Sequence, residues 1–244
     1  MAGSGVSVRD AHARLASAQK GHARGAPAYS VYVNRRIGRG LAAVAHARGL
    51  TPNAVTAVSA VHTFAGIAVL ALAPVTWWSG IVVAVLLALG YAWDSADGQV
   101  ARLRGGGSVA GEWLDHFVDA LKIATLHLAV LVGLHRGVPE LRDSAILLLP
   151  LAFSAVSTTA FFGMILNDLL RGARGIPSTH ARGGGTALRS LLLLPTDFGL
   201  QCWVFVLWGW SAAFLPVYGL LLLANAAFLA IAAVKWFREM RDAG

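Results

Sequence analysis

The sequence predicts an all-α integral membrane protein: six transmembrane helices preceded by an N-terminal amphipathic surface helix. Three observations carry this. Of 244 residues, 57% are hydrophobic and only 13% charged, with a mean hydropathy of +0.63, outside the range of a soluble domain. The apolar residues fall into runs comparable to the ~20 residues that cross a bilayer. The Lys and Arg residues cluster in alternate connections, as they do when helices thread a membrane.

Residues 1–50 read as a basic cytoplasmic segment. The first twenty-five, rich in Ala, Gly and Ser, carry no secretory signal pattern and are expected to be loosely ordered. From about Tyr29 to Arg48, Tyr32, Val33, Ile37, Leu41 and Val44 alternate with Asn34, Arg35, Arg36, Arg39, His46 and Arg48, the pattern of a helix lying on the membrane surface. Thr51-Pro52-Asn53 then opens the first span, with Thr51 as cap and Pro52 in the first turn. The spans are expected at about 54–74, 78–101, 109–134, 145–169, 197–210 and 212–235. The fifth is the weakest, because it is short and 187–195 is also apolar. Residues 51–236 thus form one transmembrane domain and 237–244 a cytoplasmic tail.

With six spans, seventeen Lys and Arg residues fall on one side and only Arg136 and Arg142 on the other. The bias puts both termini in the cytoplasm, in a bacterial plasma membrane. The net charge of +8 then reflects cytoplasmic loops near anionic lipid and calls for no nucleic acid. The single cysteine, Cys202, lies in an apolar run, so the chain forms no internal disulfide.

Residues 94–119 hold four aspartates, in a chain with only twelve acidic residues, between long apolar runs. Charge beside a membrane segment is expensive and marks a functional site. Asp94 and Asp97 are spaced i, i+3, and Asp115 and Asp119 i, i+4, so each pair shares a helix face. Gly105-Gly106-Gly107 breaks the helix between them. Asp97 lies nine residues before Gly106 and Asp115 nine after; Asp94 lies twelve before and Asp119 thirteen after. Folding back at the glycines brings all four carboxylates to one depth, near the cytoplasmic boundary. Like charges share a site only when cations neutralise them. Oxygen-only ligands suit Mg²⁺ or Mn²⁺, and two such ions balance four carboxylates.

Gly98, Ala101 and Gly111 keep the helix faces beside the acids open to close approach. Arg102 follows Asp94 by eight residues, on the same side, where a guanidinium can grip phosphate oxygen. Glu112 falls off the line of the other acids and is expected to face away. A divalent-cation transporter is a rival reading of intramembrane acids, but it expects them at several depths rather than gathered at one.

The pattern D-x-x-D-G-x-x-A-R-x(8)-G-x-x-x-D-x-x-x-D, met by Asp94, Asp97, Gly98, Ala101, Arg102, Gly111, Asp115 and Asp119, resembles that of the CDP-alcohol phosphotransferase family. The Leu50–Thr56 segment resembles the start of the first span in many members. The resemblance implies an enzyme that transfers the phosphate-bearing part of a CDP-alcohol, such as CDP-diacylglycerol, to an acceptor hydroxyl and releases CMP. It implies Asp94, Asp97, Asp115 and Asp119 as ligands of two divalent cations and Asp119 as general base. Gly98, Ala101, Arg102, Ser108 and Gly111 would border the nucleotide or diphosphate, with Asn53 and Thr56 beside them on the first span. The acceptor stays open between a small polyol phosphate and a lipid, and the donor could be a CDP-polyol. Lys122 either offsets the acids or touches a phosphate. Arg171, Arg174 and Arg182 either reflect charge bias alone or form an acceptor-phosphate pocket. Relatives are often homodimers, which implies the same here.

Overall fold

The computed structural model describes residues 7–18, 26–176 and 186–242, and no strand occurs among them. Helix α1 (Val8–Ala18) starts where Ser7 Oγ accepts from the Asp10 amide at 3.1 Å. Its Ala11 and Leu15, one turn apart, are buried against the following helices. Loose order is therefore not what the structure has over 8–18; a two-residue apolar stripe is enough to dock so short a helix on a protein surface.

A π-helical turn (Ser30–Asn34) leads into α2 (Arg35–Ala47). Gly38, Ala42, Ala43 and Ala45 are buried where α2 lies on α4. Val33 and Ile37 stay exposed. The juxtamembrane helix thus has two faces: small residues against protein, and larger apolar ones turned outward, where lipid would cover them.

Three long helices then follow, each with a side-chain cap. Thr51 accepts from the Ala54 amide (3.2 Å) to start α3 (Pro52–Leu72). Thr76 and Ser79 form a reciprocal capping box at α4 (Trp77–Leu103). Ser108 accepts from the Gly111 amide (3.0 Å) at α5 (Val109–Gly137). Caps satisfy amides that a helix start leaves open. Between α4 and α5 the chain reverses through Gly105 and Gly106, at φ of +96° and +140°, conformations that side chains with a Cβ resist. Arg104 Nη2 donates to Gly49 O at 2.8 Å, tying this reversal to the turn before α3.

Helix α6 (Leu148–Ala173) returns along α5. The chain then passes through α7 (Ala187–Leu192), α8 (Phe198–Val204) and a 3-10 turn (Phe205–Leu207) to α9 (Ser211–Asp242). Among the described residues, five helical stretches are long and apolar enough to cross a membrane, and Phe198–Leu207 is a shorter apolar helix. The expected fifth span is therefore a short apolar helix rather than a full crossing. Pro195 closes a 3-10 turn and Asp197 takes an extended backbone (φ −79°, ψ 123°) to cap α8. The ten residues left span only ~15 Å, half of a ~30 Å hydrocarbon core. Helix α9 also runs on through the residues read as a tail, to Asp242.

The core lies among α3, α4, α5, α6, α8 and α9, around Leu70, Leu87, Leu126, Phe153, Trp208 and Tyr218. Between membrane helices the packing relies on small residues that let backbones meet. Ser59 Oγ donates to Gly90 O at 2.8 Å across α3 and α4. A Cβ on Gly133 would lie 2.4 Å from Leu70 O. His127 Nδ1 shares a 2.6 Å hydrogen bond with the buried Tyr218 hydroxyl, and its ring stacks on Phe153 with centroids 4.0 Å apart.

Candidate active site

The site is where α3, α4 and α5 converge at the reversal. One carboxylate oxygen from each of Asp94, Asp97 and Asp115 lies within 4.8 Å of the others. Asp94 and Asp97 come from the last turns of α4 and Asp115 from the second turn of α5. Asp97 is nearly closed to solvent, at 8% exposure. Its two oxygens are held differently: Thr56 Oγ1 donates to Oδ2 at 2.7 Å, and the Gly98 amide donates to Oδ1. Asp119, one turn further along α5, accepts from the Lys122 ammonium, which also lies 4.0 Å from Asp94 Oδ1. The acids thus divide into a cluster of three and a fourth paired with a buried cation.

Above Asp97 and Asp115 opens a cleft of about 810 Å³. Its walls are the start of α3, the last turns of α4, the glycines of the reversal and the first turn of α5. Every residue expected to border a nucleotide or diphosphate lies on it: Asn53, Thr56, Gly98, Ala101, Arg102, Ser108 and Gly111. Gly98 leaves open space, since an added Cβ would meet nothing nearer than Arg102 Nη1 at 3.8 Å. Gly111 is tighter: a Cβ there would press to 3.1 Å on Asn53 Oδ1 and 3.2 Å on Ser108 Oγ. Both glycines keep bulk out of the cleft, one from its centre and one from the contact of its walls.

Several further residues, which the sequence offers as caps or reversal residues rather than as site residues, also form the wall. Thr51, Pro52, Arg104, Gly106, Gly107 and Glu112 also line the cleft. Their signal was structural: caps and reversal residues must sit at the helix ends that form its rim. Glu112, expected to face away, is on this wall, 4.0 Å from His116 Nε2. At the first turn of a helix the side chain leans back toward the N-terminus, which here is the cleft.

The basic residues considered for an acceptor lie elsewhere. Lys122 is buried among Asp94, Asp119 and the Phe198 ring, whose centroid is 4.9 Å from Nζ. Arg171 pairs with Glu239 at 3.4 Å, across α6 and α9. Arg174 is exposed at the end of α6. Arg182 lies outside the described residues.

Three carboxylates so close, in a bundle of apolar helices, repel one another unless a cation shares them. Their all-oxygen donor set suits a hard divalent ion, so the residues fit such a group.

A sequence profile of the CDP-alcohol phosphatidyltransferase family matches residues 49–235, most of the chain and all of the site. The chain belongs to this family. It is a CDP-alcohol phosphotransferase, an integral membrane enzyme of phospholipid biosynthesis. No curated protein matches the sequence significantly. Two solved structures of Mycobacterium tuberculosis phosphatidylinositol phosphate synthase (PgsA1) are similar in fold. One, in complex with manganese and citrate, is 24% identical with a TM-score of 0.52, covering 84% of this chain and 89% of that one. The other, with CDP-DAG bound, is 22% identical with a TM-score of 0.49, covering 84% and 94%.

Proposed function

We propose that this phosphotransferase moves a phosphatidyl or similar substituted phosphate group from CDP-diacylglycerol, or a related CDP-alcohol, to an acceptor hydroxyl and releases CMP. The acceptor is a small polyol phosphate or a lipid. The reading rests on one observation: three carboxylates converge within 4.8 Å, and two of them, Asp97 and Asp115, line a cleft that Arg102 and the glycines of the reversal enclose. Asp94, Asp97 and Asp115, with Asp119, would hold two divalent cations, Mg²⁺ or Mn²⁺. Such ions neutralise phosphoryl oxygens and ease departure of the nucleotide.

The remaining work falls to the chain's own side chains. Arg102 on the cleft wall grips the diphosphate in a bidentate fork. Asn53, Thr56 and Ser108 offer polar groups to the cytidine end, and Gly98, Ala101 and Gly111 leave it room. The acceptor oxygen attacks phosphorus in line; the new P–O bond forms as the bond to CMP breaks. The acceptor proton passes to the Asp119 carboxylate, which stands beside the cluster rather than within it. Arg171, Arg174 and Arg182 are candidates for an acceptor phosphate at the end of α6 and beyond. The charge bias supports a cytoplasmic site, cytoplasmic termini and a bacterial plasma membrane, and the family supports a homodimer, which mass measurement in detergent tests.

The deciding experiment incubates purified protein with CDP-diacylglycerol, Mg²⁺ or Mn²⁺ and a panel of hydroxyl acceptors, and measures CMP. CMP release that needs one acceptor supports the reading; none with any CDP-alcohol refutes it. Asp119→Asn should lower turnover by about 10²–10⁴-fold, the usual contribution of a positioned base, in a protein that still folds. Retained turnover removes Asp119 from that role.

A further inference from the structure

Among the described residues, Lys122 is the only buried lysine or arginine, at 6% exposure. The ammonium donates to Asp119 and lies 4.0 Å from Asp94. It is not a side chain that has wandered in. Phe198 lies over it, with the ring centroid 4.9 Å from Nζ. Phe198 packs edge-on against Tyr91 (5.3 Å between centroids), and Tyr91 stacks on Tyr29 (6.5 Å). Asp197, one residue before Phe198, accepts from the Gly199 amide at 2.9 Å and from Ser30 N at 2.8 Å. Parts of α4, α8 and the segment before α2 together wall the ammonium into the acid ring.

The ring's geometry follows from that cation. Asp94, Asp97 and Asp115 share one centre, whereas Asp119 lies outside their group and is drawn to Lys122. Four carboxylates and one ammonium carry a formal charge of about −3; one divalent ion reduces it to about −1 and a second reverses its sign to about +1, so the second ion meets far less attraction than the first.

We propose that Lys122 is a positioning residue, a built-in cation that stands where the charge of a second metal ion would otherwise act. It holds the Asp119 carboxylate off the three-acid centre, so the resting protein takes up one divalent ion firmly. The second is recruited only with the donor, whose diphosphate restores negative charge. This inference rests on the proposed two-metal reading and concerns the order in which the ions enter.

Mn²⁺ titration of detergent-solubilised full-length protein, followed by electron paramagnetic resonance, tests it without turnover. Wild type should bind one tight Mn²⁺ per chain, rising to two when CDP-diacylglycerol is added. Lys122→Met should bind the second ion at least about tenfold more tightly without the donor, because the fixed positive charge 4.0 Å from Asp94 Oδ1 is gone. Lys122→Arg, which keeps the charge, should behave as wild type. Two equally tight ions in donor-free wild type overturn the proposal whatever the variants do. So does a Lys122→Met isotherm that superimposes on wild type or loses binding in a protein whose melting remains cooperative. If instead wild type and Asp97→Asn bind Mn²⁺ alike, the two-metal reading itself has failed.

Discussion

Gly90→Ala tests how the fold delivers the site. Gly90 is on α4, seven residues before Asp97; its neighbours Ser59 and Thr63 are on α3, within seven residues of Thr56. An added methyl would lie 2.1 Å from Thr63 Oγ1, 3.1 Å from Thr63 N and 3.2 Å from Ser59 O, where carbon needs ~3.5–4.0 Å. Thr63 is buried, so its hydroxyl has little space to turn into, and the two backbone contacts cannot be relieved by any rotamer. The helices must separate, stretching the 2.8 Å bond from Ser59 Oγ to Gly90 O. Overpacking costs about 1–3 kcal/mol and a weakened buried hydrogen bond about 1 kcal/mol. For a chain of this size, 2–4 kcal/mol lowers Tm by about 4–16 °C. The same separation pulls Thr56 from Asp97, and misplacement approaching 1 Å can lower turnover about 10²-fold. Differential scanning fluorimetry in detergent and a CMP-release assay read the two effects. Thr63→Ala in the same chain removes the worst contact and should recover half or more of the lost Tm, a non-additivity expected of touching residues. A Gly90→Ala protein melting within 1 °C of wild type, or no recovery in the double variant, refutes the reasoning.

Two further outcomes follow from side chains on either side of this contact. Arg102→Ala should lower kcat/KM for the CDP-alcohol by about 10–150-fold, the worth of a charged hydrogen bond, chiefly through KM; Arg102→Lys should fall between, keeping charge but losing the fork. Tyr218→Phe should lower Tm by about 2–12 °C, because it strips a buried partner worth about 1–3 kcal/mol from His127 Nδ1. It should leave the donor KM unchanged, since the His127–Tyr218 pair joins α5 to α9 in the core, not at the cleft.

The sequence was most readable where one chemical demand fixes both residue type and spacing. Carboxylates at i, i+3 and i, i+4 on either side of three glycines can meet only if the chain reverses there, and α4 and α5 do reverse there. Caps were legible for the same reason: Thr51 before Pro52 allows few other structures. What local pattern could not give is partner choice. The run around 197–210 is apolar enough for a span, but whether Pro195 and Asp197 are bridged or break the helix depends on what receives the broken ends. Asp197 finds Ser30 N, 167 residues away. Lys122 and Arg171 illustrate the same limit. As letters they are equivalent cations near a phosphate site; in the fold one is committed to Asp119 and the other to Glu239.

The arrangement also bears on the donor proposed above. The carboxylates lie at the ends of α4 and α5, so the cleft above them opens at the reversal, among Ser108, Arg104 and the glycines. Immediately beside it α5 presents Val109, Trp113 and Phe117 outward, each more than half exposed, with the two aromatic rings stacked at 5.1 Å. For the CDP-diacylglycerol proposed as donor, the head would lie over Asp97 and Asp115 and the tail along the outer face of α5. The charge bias supports acids near the membrane boundary, and helix geometry gives a reason for that depth. Placed a few turns deeper, four carboxylates would bear the full penalty of charge in hydrocarbon; placed in the loop, they would lose the helix faces that hold them within reach of one another.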